Sequence, residues 1–256
     1  AFAQESDLQL AAEAMPFALK TLDMLALQQP GNRAVLLAAA RAYIQYSHAF
    51  VEWPLRHDPP DVLFVPSYVI PPIHPASVVT IHDVGYLVEP DCHAPVHRKQ
   101  LEWTTRWNTR AAGGIIAVSE ATKHDLIERL QVASDRIEVI PHGVSSAFSR
   151  VSDDQIETFR TRYGLGHQTV LAVGTIQPRK NLVRLIQAFE QLAARDCELQ
   201  LVFCGAPGWQ GESILRRARS STFHDRIIHL GYLPDTELAT LYSTAAVFAF
   251  PSLYEG

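Results

Sequence analysis

Apolar residues change their spacing twice along this chain of 256 residues. From Leu8 to Leu27, and again from Ala34 to Val51, they recur at helical intervals on an Ala- and Leu-rich background, broken by Gln29-Pro-Gly-Asn32. This pattern predicts a helical hairpin over residues 1–52, and the order Pro30, Leu36, Ala39, Ala40, Tyr43 matches a tetratricopeptide-type helix in which small residues let two helices approach closely. Two ordinary amphipathic helices packed on a neighbouring domain explain the same pattern equally well.

From Trp53 onward short apolar runs alternate with amphipathic stretches. Asp61–Pro66, Ser77–His82, Gly114–Val118 and Arg136–Ile140 read as strands, with helices over Pro95–Ala112 and Glu120–Leu130 between them. After Pro141-His142-Gly143-Val144 a polar helix, Asp153–Tyr163, leads into a second series. Strands are expected at Thr169–Val173, Leu199–Cys204, Ile227–Leu230 and Val247–Phe250. Helices are expected at Leu182–Ala194, Glu212–Ser220 and Thr236–Ser243. Such alternation predicts parallel sheets with helices on their faces, so the fold class is α/β: two Rossmann-like units over 53–150 and 151–256, behind the hairpin.

Composition narrows the function. A 47% hydrophobic content is ample for packed cores, and a net charge of −5 without a long basic face argues against a nucleic-acid surface. The longest apolar run, Ala245–Phe250, falls far short of the roughly 20 residues that span a bilayer and reads as a buried strand. Cys197 and Cys204 read as small core residues, and with Cys92 too distant for an evident pairing the chain fits a reducing compartment. The start Ala1-Phe-Ala-Gln4 is compatible with the tail of a signal-peptidase site or with a trimmed chain. His93 and His97 lie at i, i+4 near Cys92, but without a second metal-ligand pattern no metal site is expected.

Candidate chemistry concentrates in Leu171-Ala-Val-Gly-Thr-Ile-Gln-Pro-Arg-Lys-Asn181, an apolar strand that ends in Gly174 and Thr175 and then presents Arg179 and Lys180 where a helix begins. Two cations, the free N–H groups of the helix start and its dipole make an anion site, with Asn181 expected to cap the helix. Other noteworthy residues also fall at strand ends: His82, which the following Asp83 could orient; Ser119, which with Glu120 reads as a helix cap; and Glu255. His142 reads as a residue that shapes the turn before Gly143.

Together these motifs resemble the retaining glycosyltransferases of the "group 1" family, which have the GT-B fold. Thr80-Ile-His-Asp83, Ala117-Val-Ser-Glu120, Val139-Ile-Pro-His-Gly-Val144, the Gly174 to Asn181 segment and Phe250-Pro-Ser-Leu-Tyr-Glu-Gly256 occur in the family's order. The resemblance implies that Gly174, Thr175, Arg179 and Lys180 hold the diphosphate of a nucleotide sugar, that His82 lies beside the donor sugar, and that Glu255 contacts it. It further implies transfer with retention to a carbohydrate or lipid-linked acceptor, no metal cofactor, and a cytoplasmic setting; peripheral association with the inner membrane face and a homo-oligomer stay open. The family's second glutamate, a little beyond the first, has no counterpart before Gly256, and the hairpin stands where the family opens with a strand and glycine-rich loop. Both units are therefore expected to be incomplete, as in a fused, truncated or chimeric chain. Leu36-Leu-Ala-Ala-Ala40 with Tyr43 and Tyr46 resembles a periplasmic helical-repeat protein associated with TRAP transporters. A catalytically inactive GT-B remnant serving as an interaction module is the alternative function, and a sugar-nucleotide epimerase of the same broad fold is disfavoured because its acid and base are not recognisable.

Overall fold

The computed structural model describes residues 19–21, 24–25, 32–47, 57–58, 60–66, 69–71 and 76–256. Most of the expected first helix of the hairpin lies outside these residues. Its partner is α1, Arg33–Ser47, whose start is capped by Asn32: Oδ1 accepts from the backbone N–H of Ala34 at 3.1 Å and of Val35 at 3.3 Å.

The described elements after α1 follow the expected alternation. They run β1 (Leu63–Val65), β2 (Ser77–Ile81), α2 (Gly85–Val88), α3 (Pro95–Ala111), β3 (Gly114–Ala117), α4 (Glu120–Leu130) and β4 (Ile137–Val139). The second series is α5 (Asp153–Tyr163), β5 (Thr169–Val173), α6 (Leu182–Ala193), β6 (Gln200–Cys204), α7 (Gly211–Arg219), β7 (Ile227–His229), α8 (Asp235–Thr244) and β8 (Val247–Phe248). Two four-stranded sheets result, in the orders β1-β2-β3-β4 and β7-β6-β5-β8, which fall on either side of residue 150.

In the second sheet all three strand pairings are parallel, with Thr169 to Val173 of β5 facing Gln200 to Cys204 of β6 in register. Successive side chains of a strand point to opposite faces, and here both faces are covered. Ala172, Leu201 and Phe203 pack with Ile186 and Phe189 of α6 and Ile214, Leu215 and Ala218 of α7. Leu171, Val202 and Cys204 pack on the other side with Phe159 of α5 and Leu241 of α8. The helices begin and end where the sequence supplies caps: Ser152 and Gln155 form a reciprocal capping box on α5, and Gly164 closes it in the left-handed conformation.

Two expectations fail at the sheet's margins. The run Ala245–Phe250 is not a buried strand, because β8 pairs only through Val247 and Phe248 along the free side of β5, leaving Val247, Phe248 and Phe250 about half exposed. Cys197 is exposed rather than a core residue, since it falls in the loop before β6, whereas Cys204 within β6 is buried.

Among the described residues, chain packing groups those up to Val79 with Trp107–Ile115 as one compact unit, and Thr80–Arg106 with Ile116–Gly256 as the other. Within the first, fully buried Ile70 is clamped by polar side chains of α3: its N–H donates to Asn108 Oδ1 at 2.9 Å and its carbonyl accepts from Trp107 Nε1 at 2.7 Å. Every candidate site residue belongs to the second unit.

Candidate active site

Strand β5 delivers the site. Its ladder continues past the last residue as Gly174 N donates to the Cys204 carbonyl at 2.9 Å and Ile176 N to that of Ala206 at 2.9 Å. Gly174 adopts φ +134°, open to glycine at little cost, and a Cβ built there would lie 3.4 Å from Lys180 Cε. The missing side chain is thus the space the lysine stem occupies. Pro178–Lys180 then form one turn of 3₁₀ helix, with proline at its first position.

That turn corrects the reading of Asn181. It sits at the start of α6 in the left-handed conformation (φ 55°), makes no side-chain cap, and instead donates from Nδ2 to the Pro251 carbonyl at 3.0 Å. The turn's geometry overrides the residue's capping preference and turns the amide toward the 250–256 loop. Arg179 binds the same loop: its carbonyl accepts from Leu253 N at 2.9 Å, and its Nη1 donates to the Tyr254 carbonyl at 2.6 Å.

The two cations converge on one acid. Arg179 Nη1 lies 2.8 Å from Glu255 Oε2 and Lys180 Nζ 2.6 Å from Oε1, while Lys180 also sits 4.9 Å over the Phe250 ring. Burial works to raise the Glu255 pKa, but the hydrogen bonds from Lys180 and Arg179 outweigh it and hold the carboxyl below its ordinary value. In sequence Glu255 lies 76 positions from Arg179 and 75 from Lys180; folding makes the three one cluster.

The loop's last residues reach the β2 end. A Cβ built at Gly256 would lie 3.0 Å from the His82 carbonyl and 2.8 Å from Thr122 Oγ1, and Thr122 Oγ1 itself donates to that carbonyl at 3.1 Å. Ser119 caps α4 as expected, accepting from Thr122 N at 2.9 Å. The His82 side chain meets a residue read as a turn former: its Nδ1 is 3.1 Å from Nε2 of His142, the rings stacked with centroids 5.1 Å apart. Asp83 turns instead to its own backbone, accepting from Gly85 N at 2.7 Å through Oδ1. His82 and His142 thus form a stacked histidine pair.

Two further residues escaped the sequence reading. Tyr254 donates its hydroxyl to Asp125 Oδ2 at 2.6 Å, and Arg129 Nε donates to Oδ1 of the same carboxylate at 2.7 Å. Tyr254 adjoins Glu255, a signal that was present; nothing in the spacing of α4 marked Asp125. The site thus brings together Arg179, Lys180, Glu255 and Gly174, with Gly256 close to the backbone carbonyl of His82.

Solved structures share this architecture. Sucrose-phosphate synthase from Thermosynechococcus elongatus superposes with a TM-score of 0.63 at 21% identity over 84% of this chain and 56% of that one. Anabaena HepE in complex with UDP and glucose gives 0.58 at 20% identity over 70% of this chain and 46% of that one. The fold is GT-B-like, two parallel-sheet units. Residues 154–256 match the Glycosyl transferases group 1 family. Residues 4–61 match the TRAP transporter T-component family, in line with the resemblance of the hairpin. Among relatives, O-antigen chain mannosyltransferase B of Escherichia coli is 28% identical over 80% of this chain and 54% of its own length. The serotype-specific mannosyltransferase WbdA of Escherichia coli is 35% identical over 57% of this chain and 18% of its own. The chain therefore spans about half the length of the first relative and less than a fifth of the second. Among the described residues no helix is long and apolar enough to cross a membrane.

Proposed function

We propose that the chain carries the donor half of a hexosyltransferase, which moves a sugar, of mannose type, from a nucleoside diphosphate to a carbohydrate or lipid-linked acceptor with retention of configuration. The observation that carries this reading is the convergence of Arg179 and Lys180 on one point beside Gly174, both cations about 85% buried and both engaged by an anionic group. In that position they neutralise the departing diphosphate, where charge develops as the glycosidic bond breaks. Glu255 accepts hydrogen bonds from the sugar hydroxyls, and His82, held through its ring by His142, lies beside the sugar. With two fixed cations supplying the countercharge, the proposed reaction uses no metal ion.

The mannosyltransferase relatives support the hexose class, and the UDP-bound neighbour supports a nucleotide donor; the division at residues 52 and 150 follows from the same proposal. A cytoplasmic setting, with peripheral attachment to a membrane that presents a lipid-linked acceptor, belongs to it as well. Thermal denaturation with UDP, GDP and ADP, each alone and as its sugar conjugate, tests it. A ligand that binds the folded state alone stabilises by mass action, about 2.7 kcal/mol at a hundredfold excess over Kd, so one base should raise the midpoint by several degrees. No shift with any nucleotide contradicts the proposal.

A further inference from the structure

Glu255 already occupies both charges that a donor diphosphate requires. One carboxylate oxygen is 2.6 Å from Lys180 Nζ and the other 2.8 Å from Arg179 Nη1, the bridging geometry that two phosphate oxygens would adopt. The cations are the more buried side of this contact. Their side chains are 14% and 15% exposed, against 31% for Glu255. Each also keeps a second partner without the acid: the Tyr254 carbonyl at 2.6 Å for Arg179 and the Phe250 ring at 4.9 Å for Lys180. If the carboxylate leaves, the cations stay aimed at the space it vacates.

We infer that Glu255 is an internal counter-ion that a ligand must displace, and that this exchange makes the site selective for linked phosphates. An incoming anion has to repay both cations at once. A diphosphate does so with a larger charge spread over two phosphate groups, whereas a nucleoside monophosphate offers both cations a single phosphate of lower charge. The inference rests on the donor-site reading and sharpens it. Once displaced, Glu255 finds new partners in the sugar hydroxyls of a conjugate, but none in a free nucleoside diphosphate. Free nucleotide therefore bears the cost of the exchange, while the complete donor recovers it.

Glu255→Gln keeps the shape and removes the charge, so it separates these effects. Calorimetric titration at fixed ionic strength would compare the unaltered chain and the variant with UDP, GDP, UMP, GMP, UDP-glucose and GDP-mannose. The preferred free diphosphate should bind Glu255→Gln about tenfold more tightly than the unaltered chain. The preference for diphosphate over monophosphate should narrow several-fold, and the extra affinity of the sugar conjugate over free diphosphate should shrink. Glu255→Ala, read alongside, should move all three in the same direction. Equal or weaker diphosphate binding by both variants, with the unaltered chain binding normally, overturns the counter-ion role and leaves the donor site intact. Absence of nucleotide binding in all three proteins overturns the donor-site reading and the inference with it.

Discussion

Tyr254 and Asp125, 129 positions apart in sequence, share a hydrogen bond of 2.6 Å that fixes the residue preceding Glu255 onto helix α4. The ring lies against Gly85, where a Cβ would come within 3.1 Å of Tyr254 Cδ1. Burial, and then the bond to Asp125, push the phenol above its ordinary pKa, so the tyrosine remains a donor throughout the neutral range. Tyr254→Phe should cost about 1–2 kcal/mol, because Asp125 loses a partner and keeps only Arg129. Thermal denaturation should record a drop of a few degrees, and an unchanged midpoint would deny the bond any structural weight.

Arg179→Ala should act on ligand far more than on folding. Its guanidinium holds Glu255 and the Tyr254 carbonyl, but its own backbone carbonyl still receives Leu253 N–H in the variant. Turnover should fall by about a hundredfold or more, as on loss of a charge-stabilising donor, while the melting temperature moves by only a few degrees. A steady-state assay on GDP-mannose with a denaturation curve beside it makes the comparison. Normal kcat with normal binding would remove Arg179 from the site.

Gly205 and Gly174 should not tolerate alanine, for different reasons. At φ +146° a Cβ on Gly205 would overlap the Gly174 carbonyl, so Gly205→Ala should destabilise the second sheet by about 3 kcal/mol or more. Gly174→Ala meets the flexible lysine stem rather than backbone, and should weaken nucleotide binding beyond its effect on stability. Urea unfolding paired with nucleotide titration distinguishes the two, and equal effects on both readouts would refute the distinction.

Acid should weaken the fold through two carboxylates. For Glu255 and Asp125 burial alone would raise the pKa, but hydrogen bonds from Lys180 and Arg179, and from Tyr254 and Arg129, leave both below their ordinary values of 4.5 and 3.8. A depressed native pKa gives stability that is fully present above those values and is lost as pH falls through the native ones. Tyr254 has the opposite sense: its stabilising share persists below its ordinary value of 10.0 and erodes as pH rises beyond it. Urea midpoints should decline most steeply below about pH 4.5, beyond a smaller fall that begins near the ordinary value of 6.5 for His93, whose pKa burial lowers, and the steep part should be shallower in Glu255→Gln. An identical acid slope in that variant would mean that Glu255 does not contribute.

Local signals carried much of the fold. Helices α4 and α5 and strand β5 keep the boundaries expected of them because Ser119, Ser152 and Gly164 mark ends through their own backbone chemistry. The apolar run at 245–250 revealed a strand but not that it would lie at a sheet edge, since strand order is decided by pairing rather than by composition. Asn181 misled because capping preference describes an isolated helix start, and here a 3₁₀ turn precedes it. Arg179 and Lys180 stood out where a helix begins, and His82 and Glu255 past strand ends, but that the two cations meet Glu255 was not legible in the spacing. The partnership of Asp125 with Tyr254, and of His142 with His82, depends on contacts between distant segments that no spacing encodes.

The histidine pair should matter to chemistry more than to binding. His142→Ala removes the ring that meets His82 Nδ1 and should lower kcat by about tenfold with nucleotide affinity unchanged. His142→Asn, which keeps a hydrogen-bonding side chain, should recover part of the loss. Equal losses in the two variants would assign His142 no role beyond the turn.

The most direct measurement is a calorimetric titration of UDP and GDP into the unaltered chain and into an Arg179→Ala, Lys180→Ala double variant of confirmed fold. Binding of one diphosphate to the unaltered chain, weakened at least a hundredfold in the double variant, is the expected result. Undiminished binding in the double variant would place the diphosphate elsewhere and contradict the account.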